Sequence, residues 1–402
     1  MRVLQVVPGI SPKWGAPGNV TTFVRYLEKY GVDATLLTTT VDPDGRLDVP
    51  LHEPVVIDGA TCLFHDVLAL GGRWGLSPSL ARTLGRLAGG CDLVHIHWLY
   101  NFSSIAAAHA ARRAGVPFVV QPRGSLDPHL FRKNRLLKRL YLATVGRPLL
   151  ADAAAVIFTA EQERVLAAVR SGRPEWVVPV GLDAPRFDNL PPPGTFRAAF
   201  PAITGPYLFF LGRLSAQKGL DLLLPAFARL LRARPDLWLV LAGPDYRGYA
   251  AEVRAMARES GVEHRVVLPG LLRHEAKLAA FVDAELFVLP SHAENFGVVI
   301  TEALACGLPV LISDQVNIHR ELAAAGMATV VQCTVDSVTS GIEAALPDDE
   351  GRRRMAARGP AFVRAHYTWD TIVPMVIERY QQVIRSHQRQ SSTPLAGGAS
   401  RG

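Results

Sequence analysis

The stretch YLFFLGRLSAQKGLDLLLPAFARLLRARPDLWLVLAG, residues 207–243, contains an apolar run, an amphipathic helix-like run and a second apolar run. The apolar runs at 207–212 and 237–243 lack the polar alternation of a half-exposed strand, which indicates strands that are buried on both faces. Two such strands joined by a helix form a βαβ unit, whose strands are parallel. This stretch therefore predicts an α/β domain with a doubly wound parallel sheet.

The same alternation extends over both halves of the 402-residue chain, which is too long for one ordinary core. Further strands are predicted at 2–7, 33–39, 91–98, 116–121, 153–159, 266–270, 285–291, 309–313 and 328–332. A segment with three consecutive prolines, 187–206, interrupts the pattern and indicates a domain boundary. The predicted division is a first Rossmann-like domain at 1–190, a linker at 191–206, a second Rossmann-like domain at 207–366, a C-terminal helix at 367–386 that crosses back to the first domain, and a disordered tail at 387–402.

The composition restricts the classes of protein. Hydrophobic residues make up 49% and charged residues 20%, which is typical of a folded globular protein. The net charge of +7 favours anionic partners, but no nucleic-acid-binding motif accompanies it. Cys62, Cys91, Cys306 and Cys333 form no CxxC pair, which argues against a disulfide framework or a zinc site. This cysteine pattern fits a reducing cytosol, so a cytoplasmic protein is predicted. There is no apolar run of about 18 residues, so no membrane span is predicted.

Two cations lie in the loop after the strand at 207–212. This loop reads GRLSAQKG (212–219) and carries Arg213 and Lys218. Cations at the carboxyl end of a parallel strand, beside a helix start, suit a diphosphate. An ordinary solvated loop is the alternative, and the loop alone leaves both interpretations open.

Two acids bracket the stretch ENFGVVITE (294–302). Glu294 lies in the loop before a helix-like run, and Glu302 lies in the second turn of that run. Gly297 removes a side chain at the turn, so that backbone amides near 296–299 can approach a ligand. Carboxylates accept hydrogen bonds from hydroxyl groups, and a nucleotide sugar offers both hydroxyls and a diphosphate. The alternative is an acid favoured by the helix dipole and a surface Glu302.

Together these residues resemble the retaining glycosyltransferases of the GT4 type. The resemblance rests on GRLSAQKG, on the Glu-x7-Glu spacing from Glu294 to Glu302, and on LAGPD (241–245), VVLPGLL (266–272), LFVLPSHAENFGVVITEALACGLPVLIS (286–313) and the closing YTWD. The first half of the chain resembles a subgroup of this family that is used in bacterial exopolysaccharide assembly. This resemblance rests on SPKWGAP (11–17), HIHW (95–98) and QPRGSLDPHLFRKNRLLKR (121–139).

The resemblance implies a GT-B fold, in which two Rossmann-like doubly wound domains face a central cleft. It implies that Arg213 and Lys218 bind the donor diphosphate and stabilise the leaving group. Glu294 would contact the donor sugar, and Glu302 would hold the ribose. Further donor contacts are implied for Gly212, Leu268, Gly270 and the amides of Phe296, Gly297 and Val298. The donor would be a GDP- or UDP-linked sugar, and no cofactor or metal is expected.

The first half departs from the family at two places. The usual double glycine of the first loop is replaced by Gly15-Ala16-Pro17-Gly18. Gly15 and Gly18 are candidates for close approach to the diphosphate, with a plain turn as the alternative. Where many members have a histidine near the donor sugar, this chain has Arg123, which becomes a candidate for binding the donor or an acidic acceptor. His97 is a candidate cleft residue, although a lone histidine is more often structural.

The segment LFRKNRLLKRLYL (130–142) interleaves leucines with five cations, Arg132, Lys133, Arg135, Lys138 and Arg139. A basic amphipathic helix is typical of a protein that binds a membrane surface. The alternative is a helix whose leucines face the core and whose basic side is solvated. Family acceptors are often lipid-linked, so peripheral attachment at the inner face of the plasma membrane is one of the two predictions.

The predicted function is retaining transfer of a sugar from a nucleotide-diphosphate donor to a saccharide or lipid-linked saccharide, in cell-surface polysaccharide biosynthesis. One alternative keeps the fold but changes the reaction to that of a sugar-nucleotide epimerase or hydrolase, which would need no acceptor sugar. Another is a non-catalytic sugar-nucleotide-binding scaffold. The joint presence of Arg213, Lys218, Glu294 and Glu302 weakens the scaffold interpretation.

Overall fold

The computed structural model describes residues 1–11, 15–42, 45–69, 74–129 and 134–392, without the side chains of 15–18 and 391–392. The chain divides into two compact units. The first unit contains Met1–Thr159, Glu163–Val178 and the chain from Ile372 onward. The second unit contains Ala160–Gln162 and Pro179–Thr371.

The first unit is built on an eight-stranded sheet in the order β10-β9-β8-β7-β1-β2-β6-β5. All neighbouring strands are parallel except β5 and β6. A separate antiparallel pair is formed by β3 and β4. The strands are β1 Arg2–Val6, β2 Asp33–Thr39, β3 Val41–Asp42, β4 Gly45–Arg46, β5 Pro54–Ile57, β6 Ala60–His65, β7 Leu93–His97, β8 Phe118–Gln121, β9 Ala155–Phe158 and β10 Glu175–Val177.

Helices connect the parallel strands of this sheet, as right-handed crossovers require. They are α1 Gly15–Lys29, α2 Pro78–Leu87, α3 Phe102–Ala114, α4 Arg135–Tyr141, α5 Arg147–Asp152 and α6 Glu161–Leu166. One turn of π-helix, Leu142–Gly146, joins α4 to α5. Apolar side chains from the central strands and from α2 and α3 form one buried cluster, so the predicted strands of the first half are the core of this unit.

The second unit has a six-stranded, wholly parallel sheet in the order β13-β12-β11-β14-β15-β16. Its strands are β11 Tyr207–Leu211, β12 Trp238–Ala242, β13 Val266–Gly270, β14 Leu286–Leu289, β15 Val310–Ser313 and β16 Thr329–Val331. Its helices are α7 Thr195–Ala199, α8 Leu220–Ala233, α9 Tyr249–Glu259, α10 His274–Val282, α11 Val298–Ala305, α12 His319–Ala324, α13 Val335–Ala345 and α14 Asp349–His366. The doubly wound α/β prediction is confirmed for both units.

The segment boundaries predicted from the sequence differ from the observed helices at two places. The predicted linker 191–206 contains α7, which the Asp283 carboxylate fixes by accepting from the amides of Gly194, Phe196 and Arg197. These bonds make the segment part of the second unit. The last helix, α15, runs Trp369–Ser392 and so passes the predicted end at 386. From Ile372 onward its residues belong to the first unit.

Candidate functional site

Three loops of the second unit meet at the carboxyl edge of its sheet. They follow β11, β14 and β15, which are neighbours in the sheet. The Gln217 side-chain amide donates to the Ala293 carbonyl at 2.8 Å, and the His292 amide donates to the Gln217 carbonyl at 2.9 Å. The Glu294 amide donates to the Gln315 carbonyl at 3.1 Å. These bonds bring together the Arg213/Lys218 loop and the Glu294 loop, which are about eighty residues apart in sequence.

Lys218 and Glu294 form an ion pair in which the Lys218 ammonium donates to a Glu294 carboxylate oxygen. Their side chains are only 15% and 16% exposed, so water screens this pair less than a surface pair. The sequence assigned the two residues to different parts of a ligand. The structure makes the position of the Lys218 cation depend on the Glu294 carboxylate.

Arg213 is half-buried beside this pair in the same loop. Its guanidinium lies over the ring of Tyr246, 4.5 Å from the centroid. Its Nε is buried without a hydrogen-bond partner in the described part of the chain, and so is the Ser215 hydroxyl. Buried donors that lack an acceptor cost free energy. The loop therefore contains two unsatisfied buried donors in addition to the paired Lys218.

Two glycines allow these loops to pack closely. Gly219 has a φ of +70°, and a Cβ atom there would lie 1.9 Å from the Pro290 carbonyl oxygen. Gly297 has a φ of +75° and precedes α11, and a Cβ atom there would lie 2.7 Å from Ile300 Cδ1. Gly219 therefore excludes a side chain for reasons of backbone conformation and of space, whereas at Gly297 the positive φ is the main reason, because the Ile300 side chain can move.

The start of α11 presents backbone amides at this edge of the sheet. The first-turn amides, including that of Val298, have no acceptor within the helix. The Phe296 side chain is buried and packs against the ring of Tyr367, with centroids 5.7 Å apart. Phe296 can therefore contribute only its backbone to a ligand, as the resemblance implies.

Glu302 lies on α11 and is paired with a residue that the sequence analysis missed. Lys277 on α10 donates from its ammonium to Glu302 Oε1 at 2.7 Å. The side chains of Lys277 and Glu302 are 25% and 17% exposed. A carboxylate has several acceptor positions, so Glu302 can accept hydroxyl hydrogen bonds while Lys277 holds it. Lys277 is 25 residues away on another helix, and no local motif identifies it.

The remaining donor candidates of the second unit lie on the backbone of the same sheet. Gly212 follows β11 directly, and its amide donates to the Ala242 carbonyl at 3.0 Å. Leu268 and Gly270 are on β13, the edge strand, which β12 separates from β11. Gly270 ends this strand, so it lies at the carboxyl edge, whereas Leu268 is two residues before that end.

In the first unit, α1 begins at Gly15, so both Gly15 and Gly18 lie in its first turn. His97 ends β7 and is fully buried. It accepts a hydrogen bond at Nδ1 from Arg123 Nε, at 3.1 Å. The Arg123 guanidinium also lies over the ring of Trp98, 5.1 Å from the centroid. His97 therefore contacts Arg123, and the two candidates form one group.

The basic segment is described from residue 134 onward, so Arg132 and Lys133 lie outside the described residues. Arg135, Lys138 and Arg139 lie on α4. The leucines of this helix are exposed: 82% for Leu136, 67% for Leu137 and 60% for Leu140. The alternative of a helix with its leucines in the core therefore does not describe α4.

Comparisons with known proteins agree with this geometry. Residues 18–183 match the family described as "Glycosyl transferase 4-like domain", and residues 196–362 match "Glycosyl transferases group 1". The chain belongs to the GT4-type glycosyltransferases. This glycosyltransferase transfers a sugar from a nucleotide donor, and it has the GT-B fold.

Its relatives differ in their acceptors. A GDP-mannose:cellobiosyl-diphosphopolyprenol alpha-mannosyltransferase of Xanthomonas campestris is 27% identical over 408 residues, covering 98% of this chain and all of that protein. A D-inositol 3-phosphate glycosyltransferase of Xylanimonas cellulosilytica is 28% identical over 330 residues, covering 75% of this chain and 74% of that protein. HepE of Anabaena, solved with UDP and glucose, has the same fold, with a TM-score of 0.75 at 19% identity, covering 95% of this chain and all of HepE.

The described residues contain neither a membrane-spanning helix nor a metal-ligand cluster. None of the helices between residues 1 and 392 that the structure describes combines the length and apolar character needed to cross a bilayer. In the same described residues, no three His, Cys, Asp or Glu side chains are grouped as a metal site would require. Metal independence stays a prediction.

The close approach of the Gly219 loop to Pro290 can be tested by stability. We expect Gly219→Ala to lower the free energy of unfolding by about 3 kcal/mol, because strain at positive φ is added to a backbone clash. Gly248→Ala is the matched control, since Gly248 also has positive φ (+79°) but has nothing within 4 Å of a Cβ. It should cost about 1 kcal/mol. Equal losses in urea denaturation would contradict the close approach.

Proposed function

We propose that the protein is a retaining, metal-independent hexosyltransferase that moves a sugar from a GDP- or UDP-linked donor to a saccharide or lipid-linked saccharide. The observation that carries this proposal is the buried Lys218–Glu294 pair beside the unsatisfied donors of Arg213 and Ser215. A fixed cation and free donors at the carboxyl edge of a parallel sheet suit the diphosphate of a nucleotide sugar.

The donor diphosphate would bind between the Arg213/Lys218 loop and the first turn of α11. When the bond from the sugar to the diphosphate breaks, negative charge accumulates on the leaving oxygen. Arg213 and Lys218 would stabilise that charge with donors that are already in place, which lowers the barrier more than it lowers the ground state. The helix start at Gly297 would add backbone amides to the same anion.

Retention would follow from attack on the face of the sugar that the diphosphate leaves. The acceptor hydroxyl would form the new bond to the anomeric carbon, and its proton would pass to the departing phosphate oxygen. This step needs no protein nucleophile. Glu294 would orient the sugar while it holds Lys218, and Glu302, held by Lys277, would bind the ribose hydroxyls.

The proposed acceptor is saccharide linked to a membrane lipid, and the proposed role is in cell-surface polysaccharide assembly. The similar Xanthomonas campestris protein is named for a diphosphopolyprenol acceptor. The exposed leucines and neighbouring cations of α4 are the kind of surface that binds an anionic bilayer. We therefore propose a cytoplasmic enzyme that attaches peripherally at the inner face of the plasma membrane.

The transfer mechanism predicts the effect of removing Lys218. With a donor identified from UDP- and GDP-sugars by its rise in melting temperature, we expect Lys218→Ala to lower kcat by about 10²–10³-fold. The exposed Lys29→Ala is the control and should leave kcat unchanged. Because Lys218→Ala leaves Glu294 without its counter-ion, Lys218→Met/Glu294→Gln serves as a second variant that removes both charges. A folded double variant with normal turnover would disprove the assigned roles.

Product formed without acceptor would favour an epimerase or hydrolase.

Membrane attachment through α4 predicts a specific loss of vesicle binding. We expect the triple variant Leu136→Ser/Leu137→Ser/Leu140→Ser to weaken cosedimentation with phosphatidylglycerol vesicles at least about ten-fold, because it removes the apolar contribution. High salt should release the wild type, because the cations supply the rest. Val56→Ser, at another exposed apolar position, should bind normally. Wild-type binding by the triple variant would exclude α4 as the attachment site.

A further inference from the structure

Three residues of the first unit that are not glycine have positive φ at the carboxyl edge of its sheet. They are Trp98 at +61° and Tyr100 at +62°, after β7, and Arg123 at +49°, after the neighbouring strand β8. Each such conformation costs on the order of 1–3 kcal/mol, and such residues concentrate at functional sites. The strain places Arg123 and the ring of Trp98 in contact.

The backbone around Arg123 is held by a buried carboxylate. Glu163, 4% exposed, accepts from the Gly124 amide at 2.5 Å. Its other oxygen accepts from the amide and the hydroxyl of Thr159, at 2.6 and 2.7 Å. The loop is therefore fixed at Gly124 whatever ligand is present.

The Arg123 side chain is fixed as well, but only at one edge. Its Nε donates to His97 Nδ1, and its plane lies over Trp98. In the described part of the chain, no hydrogen bond or ion pair involves its two terminal nitrogens. Burial lowers the pKa of Arg123 to about 10, so the group is charged at neutral pH. A half-buried cation with its terminal donors free is suited to bidentate recognition of an oxyanion.

Arg123 also fixes the direction of a buried hydrogen-bond chain, because a guanidinium has no acceptor. His97 must accept at Nδ1, and burial lowers its pKa well below the usual range, so its proton is on Nε2. That proton is donated to Gln5 Oε1 at 2.8 Å. The Gln5 amide nitrogen then donates to the Tyr380 hydroxyl at 3.5 Å, and that hydroxyl donates to His95 Nδ1 at 2.6 Å.

The Tyr380 hydroxyl supplies the acceptor for the Gln5 amide nitrogen. Without it, that buried nitrogen has lost its partner, and Gln5 can shift to recover one. Such a shift would weaken the hydrogen bond by which Gln5 holds the His97 ring in place for Arg123. Gln5 and Tyr380 are both fully buried, so water cannot replace the missing hydroxyl at low cost.

We propose that Arg123 binds an oxyanion, a phosphate or diphosphate, of the acceptor, and that Gln5 and Tyr380 are positioning residues that hold the His97 ring in place against Arg123. This proposal rests on the proposed transfer reaction, because the anion belongs to an acceptor only if that reaction takes place. The second unit has its own cations for the donor diphosphate, which is why the oxyanion at Arg123 is assigned to the other substrate.

The test uses the whole protein with selectively ¹⁵N-labelled histidine and arginine, and inorganic pyrophosphate as the probe. In the wild type we expect His97 as the Nε2–H tautomer and a saturable shift of the Arg123 Nε resonance on adding pyrophosphate. This shift should persist when UDP saturates the donor site. In Tyr380→Phe we expect the His97 Nε2 and Arg123 Nε resonances to move and pyrophosphate to bind roughly ten-fold more weakly at Arg123, since the hydrogen bond that holds this charged group is weakened.

Tyr207→Phe is the matched control, because it removes a buried hydroxyl that donates to the Ala280 carbonyl at 2.7 Å in the second unit. It should lower the melting temperature without changing either resonance. An Arg123 resonance that pyrophosphate does not move would overturn the anion site. Unchanged His97 and Arg123 resonances and an unchanged affinity in Tyr380→Phe would overturn the positioning role. Displacement of pyrophosphate by UDP would assign the site to the donor instead.

These readouts need no turnover, so they separate this proposal from the proposed reaction. If the protein transfers sugar to a phosphate-bearing acceptor, Tyr380→Phe should raise KM for that acceptor about ten-fold while KM for the donor stays constant. If Tyr380 had a purely structural role, Tyr380→Phe would change the KM for the acceptor and the KM for the donor together, and it would lower the melting temperature. A protein that moves no sugar but shows the Arg123 shift would disprove the reaction and leave the anion site standing.

Discussion

Parallel strand pairing is the constraint on which the rest of the structure depends. Because β11, β14 and β15 are parallel neighbours, the loops that follow them must emerge at one edge of the sheet. Lys218 and Glu294 can then form an ion pair across 76 residues of sequence. The same rule places Trp98 and Arg123 together in the first unit, after β7 and β8. Backbone hydrogen bonds thus decide which side chains meet, before any ligand is considered.

The strands that the sequence predicted are those with a continuous apolar run, and most of them are buried on both faces. The run at 207–212 became β11, whose five residues are all buried. The edge strand β5 was missed, because its residues are alternately half-buried and exposed and give no continuous apolar run. The predicted linker hid α7 because its order depends on Asp283, almost ninety residues later. Long-range hydrogen bonds of this kind have no local pattern.

The residues of the candidate site also fall into those that the sequence reveals and those that only the fold reveals. Arg213, Lys218, Glu294 and Glu302 lie in short motifs, so they could be found from sequence. Their partners could not, because Lys277 pairs with Glu302 from a neighbouring helix. Gln5 and Tyr380 are 375 residues apart and have no spacing to detect. Arg123 was identified by its departure from the usual histidine, whereas its contact with His97 required the fold.

In each unit a candidate arginine lies against an aromatic ring, Arg213 over Tyr246 and Arg123 over Trp98. A flexible cation loses side-chain entropy when it binds an anion. An aromatic face restricts the guanidinium beforehand without neutralising it, whereas a carboxylate would compete with the anion. Lys218 differs from the two arginines. Its ammonium is a point charge without the planar geometry of a guanidinium, and it is fixed by the Glu294 carboxylate instead. In the described part of the chain neither guanidinium is within ion-pair distance of a carboxylate, so both keep their terminal donors for the oxyanions proposed above.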